Sequence, residues 1–378
     1  MSDITHAVAA GTLFDGVNLR KDAAVLIRGG QIAGISGRDE VPSSVPLQEL
    51  PDTLWLAPGF IDIQVNGGGD LLFNDAPTPG TIETIAQAHR RFGTTALLPT
   101  LISDNPDKTP KALAAVEQAA AANPSILGIH LEGPFLSPEK AGVHDPRALR
   151  RPTDEDIALI TAKRKSVTLV TLAPEQVGED VIAALASAGI HVALGHSMAT
   201  YAQTVAAMRR GLTGFTHLFN AMRPLQAREP GPIAAALESP EAWYGLIADG
   251  VHVAPATLRL ALHGAGHPIL VTDAMPPVGG AQQSFRLNGE DILIRDGICA
   301  TRGGTLAGAY LDMASAVRNC VRLLDLPLTG ALRLASTHPA QFLGLGHALG
   351  RLLPGYRADM VALDPAGIDV VRTWVAGA

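Results

Sequence analysis

The sequence predicts an α/β protein: a (β/α)8 TIM-type barrel over residues 57–349, with a small β-sandwich domain made from both chain ends, residues 1–56 and 350–378. Three observations predict it. Eight apolar, strand-like runs alternate with helical patterns through the middle of the chain, the mark of parallel βαβ units. Short apolar runs punctuated by Gly, Asp and Pro crowd both ends. Most of the eight runs also finish in His, Glu, Asp or Asn, as strands do when their C-terminal tips converge on one barrel mouth.

Taken in order, AVLIRGGQIAGIS and LWLAPG carry the hairpin chemistry of the first domain segment. The barrel runs are GFIDIQVN, TTALLPT, ILGIHLEG, VTLVTLAPE, IHVALGHS, GFTHLFN, YGLIADG and PILVTDA. Helical stretches fall between them, among them TIETIAQAHRRF, KALAAVEQAAAA, EDVIAALASA and TYAQTVAAMRR. Residues 282–302 read as a hairpin inserted after the eighth strand, and GRLLPGYRADMVALDP with DVVRTWVAG returns to β structure.

Composition narrows the function. Apolar residues make up 47% of the 378, but aromatics only 4%, so the core is built from Ala, Val, Leu and Ile. A net charge of -7 without a basic stripe argues against nucleic acid as a partner. Cys299 and Cys320 have no metal-ligand spacing and make no disulfide framework, which suits a reducing compartment. MSDITHAVAAGTLFDG lacks a basic segment followed by an apolar run, and no stretch is long enough to span a bilayer. The expectation is a cytoplasmic protein with no membrane partner.

The strand tips carry the chemistry. They end in Gln64 to Asn66, Glu132, Glu175, His196, His217 to Asn220, Asp249 to His252, and Asp273. One histidine at a strand end is more often a hydrogen-bonded structural residue than a ligand. Two on neighbouring strands, with Glu132 and Asp273 on the same ring, make a metal site the better reading. Glu132, His196 and His217 form a His/His/carboxylate set with an open position, suited to Zn²⁺ or another borderline divalent ion. Asp273 is then the base for a water acidified by that ion, and the acid for a leaving amine.

PGFIDIQVNGGG, HLEGPFL, LGHS, THLFNAM, DGVH, VTDAM and TLAG together resemble the N-acetylglucosamine-6-phosphate deacetylases of the amidohydrolase superfamily. Where many amidohydrolases carry His-x-His on the first strand, this chain has Gln64 and Asn66. Neutral amides are poor ligands beside imidazole, so one divalent ion per chain is expected, and the two amides are read as hydrogen-bonding across the mouth.

The resemblance implies removal of the N-acetyl group from N-acetylglucosamine 6-phosphate, with Asp273 and His144 catalytic. It implies His144 contacting the sugar or the acetyl carbonyl, with Val143 beside it, and Leu306, Ala307 and Gly308 on the acetyl side. Asn220, Ala221 and His252 fall at the phosphate end, Asp249 is a further substrate-binding residue, and Arg228 reaches across from the other subunit of a homodimer. Two departures stand out: Tyr310 after TLAG, which would trim the pocket, and Arg223 after FNAM, an added cation near the phosphate. The galactosamine epimer is the nearest alternative substrate. A deaminase or cyclic-amide hydrolase on the same barrel is the next.

Overall fold

The computed structural model describes residues 4–378; residues 1–3, the start of the segment read as lacking a leader, lie outside them. Eight parallel strands run in sequence order around a barrel: Phe60–Val65, Thr94–Ile102, Gly128–Glu132, Val167–Leu172, His191–Leu194, Leu212–Phe215, Trp243–Leu246 and His267–Leu270. Each overlaps the run assigned to it from sequence. The first two are buried at every position, as expected for strands covered inside by the barrel core and outside by helices. Several strands stop before their polar tips: the fifth ends at Leu194, the sixth at Phe215 and the eighth at Leu270. His196, His217 and Asp273 therefore sit on loops, free of strand backbone angles.

The covering helices start on side-chain caps. Thr78 accepts from the Thr81 N–H, Thr153 and Thr200 form capping boxes with Asp156 and Gln203, and Asp312 accepts from Ser315. Two further helices, Leu328–Ala335 and Thr337–Phe342, pack under the bottom of the barrel, where His338 Nδ1–H donates to Pro268 O at 2.7 Å. No described helix is long and apolar enough to cross a membrane.

The ring closes without a full ladder. A single bridge joins Val65 to Ala274, and the Asp273 N–H donates to Gln64 O at 3.0 Å. Beneath it, the buried Asp62 carboxylate takes the Thr272 hydroxyl at 2.5 Å and the Gln64 and Thr272 N–H groups at 3.2 and 3.3 Å. Burial outweighs those bonds and pushes the Asp62 carboxyl up to about 7. Because this folded value lies above the ordinary one, its contribution to stability is present in acid and is lost as pH rises towards 7. An Asn at this position mimics the protonated acid. Asp62→Asn is therefore expected to gain stability over the parent as pH climbs from 5 to 8, by a few kcal/mol at most at ~1.4 kcal/mol per pKa unit. Thermal melts across that range check it, and a pH-independent difference would refute it.

Both chain ends enter one seven-stranded sheet. Met360–Asp364 pairs on one side with Asp369–Trp374 and on the other with Trp55–Pro58; His6–Phe14, Leu19–Arg28 and Gln31–Gly37 continue it, with Leu47–Glu49 beside His6–Phe14. Its own core holds Leu13, Val25, Ile27, Leu56, Met360 and Trp374. The sheet joins the barrel through Gly59, where an added Cβ would lie 2.2 Å from the Thr95 side chain.

The expected hairpin at 282–302 is a three-stranded antiparallel sheet, Ser284–Leu287, Glu290–Arg295 and Ile298–Thr301. It buries Phe285, Leu287, Ile292 and Cys299 against Leu72, Ile102, Met275 and Ala307, and so roofs part of the barrel mouth.

Candidate active site

Glu132, His196 and His217 arrive from three strands and meet at one point. Glu132 Oε1 lies 3.1 Å from His196 Nε2 and 3.0 Å from His217 Nε2, and the two nitrogens are 3.0 Å apart. His196 Nδ1–H donates to Lys140 O at 2.7 Å, which leaves Nε2 as the lone-pair atom. Gly195 before it is required: a Cβ there would lie 2.5 Å from Thr171 Cγ2. Three electron-rich atoms facing one another inside the protein need a proton or a cation between them.

The electrostatics agree. Burial would raise Glu132, but the two imidazoles at its Oε1 outweigh it and hold the carboxyl well below its usual range. Burial would lower His217, but Glu132 outweighs it and raises the imidazole. Edges of 3.0 to 3.1 Å approach the roughly 3.3 Å between ligands of a tetrahedral ion with bonds near 2.0 Å. The donor set thus fits a divalent ion such as zinc, and these are the three residues that would hold it.

Asp273 faces the trio from the loop after the eighth strand. Its Oδ1 accepts from Asn66 Nδ2 at 2.6 Å and Gln64 Nε2 at 3.2 Å, and Gln64 Nε2 also lies 3.3 Å from Glu132 Oε2. The two amides thus bond across the mouth, as read from sequence. Burial, then the Glu132 charge, pushes the Asp273 carboxyl up to about 6. No group of the chain bonds Oδ2 among the described residues, so that oxygen is free to take a proton.

His144 enters from the loop after strand three. Ser103 N–H donates to its Nδ1 at 3.3 Å, with Ser103 Oγ 2.8 Å away. The proton is therefore on Nε2, and burial drives the imidazole down to about 3, so it stays neutral. A neutral histidine with its N–H turned to the cavity is a hydrogen-bond donor for an acyl oxygen.

A cavity of about 400 Å³ lies over these groups, a size suited to a small ligand rather than a polymer. Val143, Leu306, Gly308, Asn220, Ala221 and His252 also line it. In the loop after strand six, His217, Phe219 and Ala221 have φ of 34°, 79° and 48°. Leu218 spends its N–H on Gly245 O at 2.8 Å. Asn220 spends its N–H on His217 O, whereas the Ala221 N–H has no partner among the described residues. His252 Nδ1–H donates to Asp249 Oδ2 at 2.6 Å, which leaves Nε2 for a ligand.

Four expected positions fall elsewhere, and a fifth, Arg228, was expected only at a neighbouring subunit's site. Asp249 stands behind His252 and orients it, instead of touching the cavity. Ala307 is buried under the roof, its N–H bonded to Cys299 O. Arg228 is on an exposed loop after strand six, outside its own chain's cavity. Tyr310 is 42% exposed and does not trim the pocket, and Arg223 turns its Nε to Met198 O. Conversely, Ser103 and the Lys140 carbonyl hold His144 and His196 and were not read from sequence. The first follows TTALLPTLI, a run with no polar tip of the kind that marked the others.

A profile of the amidohydrolase family matches residues 55–378. The chain is 41% identical over 366 residues to the N-acetylgalactosamine-6-phosphate deacetylase of Shewanella sp. (strain ANA-3), covering 95% of this chain and 92% of that protein. It is 39% identical to the N-acetylglucosamine-6-phosphate deacetylase of Mus musculus, over 85% of this chain and 82% of that one. The crystal structure of N-acetylglucosamine-6-phosphate deacetylase from Pasteurella multocida superposes with a TM-score of 0.95, at 32% identity and 98% coverage of both chains.

Proposed function

We propose, from the premise that this chain belongs to the amidohydrolase family, that it hydrolyses the N-acetyl group of N-acetylglucosamine 6-phosphate to glucosamine 6-phosphate and acetate. One observation carries the reading: a His/His/Glu trio and an oriented aspartate line the same small cavity as two polar groups left for a ligand, the Ala221 N–H and His252 Nε2. An amide and a phosphate on one small sugar match those two sets of groups.

A divalent ion in the trio, with zinc our choice, supplies Lewis-acid polarisation of an acyl oxygen and acidifies water at neutral pH. The protein's residues do the rest. His144 Nε2–H donates to the acetyl oxygen. Asp273, held at Oδ1 by Asn66 and Gln64, takes the proton of the attacking water at Oδ2 and returns it to the sugar nitrogen as the C–N bond breaks. The Ala221 N–H and His252 hold the phosphate. Val143, Leu306 and Gly308 bound the acetyl side. Arg228, exposed on its own chain, completes the phosphate grip of a second copy in a homodimer. A cytoplasmic setting follows from the phosphorylated substrate and the two buried free cysteines.

The galactosamine epimer is the second reading, favoured by the Shewanella relative. Acetate release from both phosphorylated epimers, with unphosphorylated N-acetylglucosamine alongside, tests both. Turnover of the phosphorylated glucosamine at about one metal per chain is expected. Preference for the epimer would move the substrate, and no acetate from any sugar by metal-loaded protein would sink the deacetylase reading.

A further inference from the structure

Glu175 follows the fourth strand at the barrel mouth, yet it neither lines the cavity nor forms an ion pair among the described residues. Its oxygens are fully engaged elsewhere. Oε2 accepts the Ser197 hydroxyl at 2.7 Å, and Oε1 accepts the Met198 N–H at 2.6 Å. On the other side of that residue, Arg223 Nε–H donates to Met198 O at 2.9 Å. Met198 is thus gripped at its N–H by an anion from beyond strand four and at its C=O by a cation from beyond strand six.

We infer that Glu175 and Arg223 are positioning residues for the phosphate end of the site, acting through the Ser197–Met198 turn; the inference rests on the substrate reading above. The turn is laced directly to the loop that carries the open Ala221 N–H: Ser197 N–H donates to Ala221 O at 3.0 Å, and Arg223 N–H donates to Ser197 O at 2.8 Å. Ala221 carries a Cβ and still sits at φ 48°, a conformation that persists only where the surroundings fix it. The clamp supplies that fixing. Charged partners give bonds about twice as strong as neutral ones, which explains why a turn is held by a carboxylate and a guanidinium.

The metal end has its own anchors. His196, next to Ser197, is tied through Nδ1 to Lys140 O and through its own carbonyl to the Ser137 N–H at 2.9 Å. Loosening the clamp therefore falls on Ala221 and not on the ligands. Arg223 thereby acts on the phosphate without touching it.

The test uses metal-loaded enzyme carrying Glu175→Ala, Glu175→Gln or Arg223→Ala. Metal content, kcat and KM are measured with N-acetylglucosamine 6-phosphate and with the unphosphorylated sugar. Inorganic phosphate binding, read by calorimetry, reports on the phosphate end without turnover. Glu175→Ala should raise KM for the phosphorylated sugar and Kd for phosphate about tenfold, the scale of one lost buried bond. Its kcat should stay within about threefold, with metal content and activity on the unphosphorylated sugar unchanged. Glu175→Gln, which keeps one acceptor oxygen, should recover part of the loss. Arg223→Ala should show the same signature, and it stands in if Glu175→Ala does not fold. Equal losses on both sugars, loss of metal, or an unchanged phosphate Kd would each overturn the inference. A wild type that binds phosphate but releases no acetate would count against the substrate reading alone.

Discussion

Asp273→Asn is expected to lower kcat by at least ~10²–10⁴-fold, the usual worth of a positioned acid–base group, while the protein keeps its metal. The geometry makes the substitution clean. An Asn oxygen at the Oδ1 position still accepts from Asn66 and Gln64, the bonds that orient Asp273 now, so the side chain should stay in place. What disappears is the one atom able to accept a proton beside the trio. The wild-type enzyme should lose activity on the acid side as well, because Asp273, already raised to about 6 by burial and the Glu132 charge, is then protonated before catalysis begins. Acetate release and metal content of the variant decide the matter. Near-full activity with metal bound would remove Asp273 from the mechanism.

Glu132→Gln should have an effect of comparable size by a different route: metal content falls far below one per chain, and activity falls with it. A neutral amide replaces the only anionic donor of the trio. The loss should exceed the ~10–100-fold in affinity typical of changes outside the ligand shell. Chelation of the wild type should likewise abolish turnover, and stoichiometric zinc should restore it there but not in the variant. Affinity should also weaken as pH falls from 8 to 6, because Glu132 raises the His217 imidazole and a ligand must lose its proton before it can bind a metal. Equilibrium dialysis with metal analysis measures occupancy and its pH dependence, and acetate release measures the turnover. Full metal occupancy in Glu132→Gln would show that the ion sits elsewhere.

The barrel was legible because each strand is an apolar run and most tips are a polar break; the His/His/Glu trio and Asp273 were readable for the same reason. Less legible was which way each polar tip turns. Asp249 and His252 lie in one motif, yet only the histidine reaches the cavity, because the aspartate is consumed in orienting it. Arg223 and Tyr310 stood out as departures in sequence, but a peptide carbonyl and solvent, respectively, claim them. The left-handed backbone at His196, His217, Ala221 and Asp273 left no trace either, since those angles usually announce themselves through glycine. Ser103 was hidden by an unremarkable strand, and its role exists only because the loop after strand three folds back to meet it.

The shared terminal sheet has a consequence for biosynthesis. Trp55–Pro58 pairs with Met360–Asp364, so a strand made early must wait for one made last. With about 300 residues between them and translation at ~5–20 residues per second, its edge stays unpaired on the ribosome for on the order of 15–60 s. An open edge of that kind is a template for pairing with other nascent chains. Recovery of soluble protein should therefore depend on chaperone supply and on the speed of elongation, even for variants whose finished fold is fully stable.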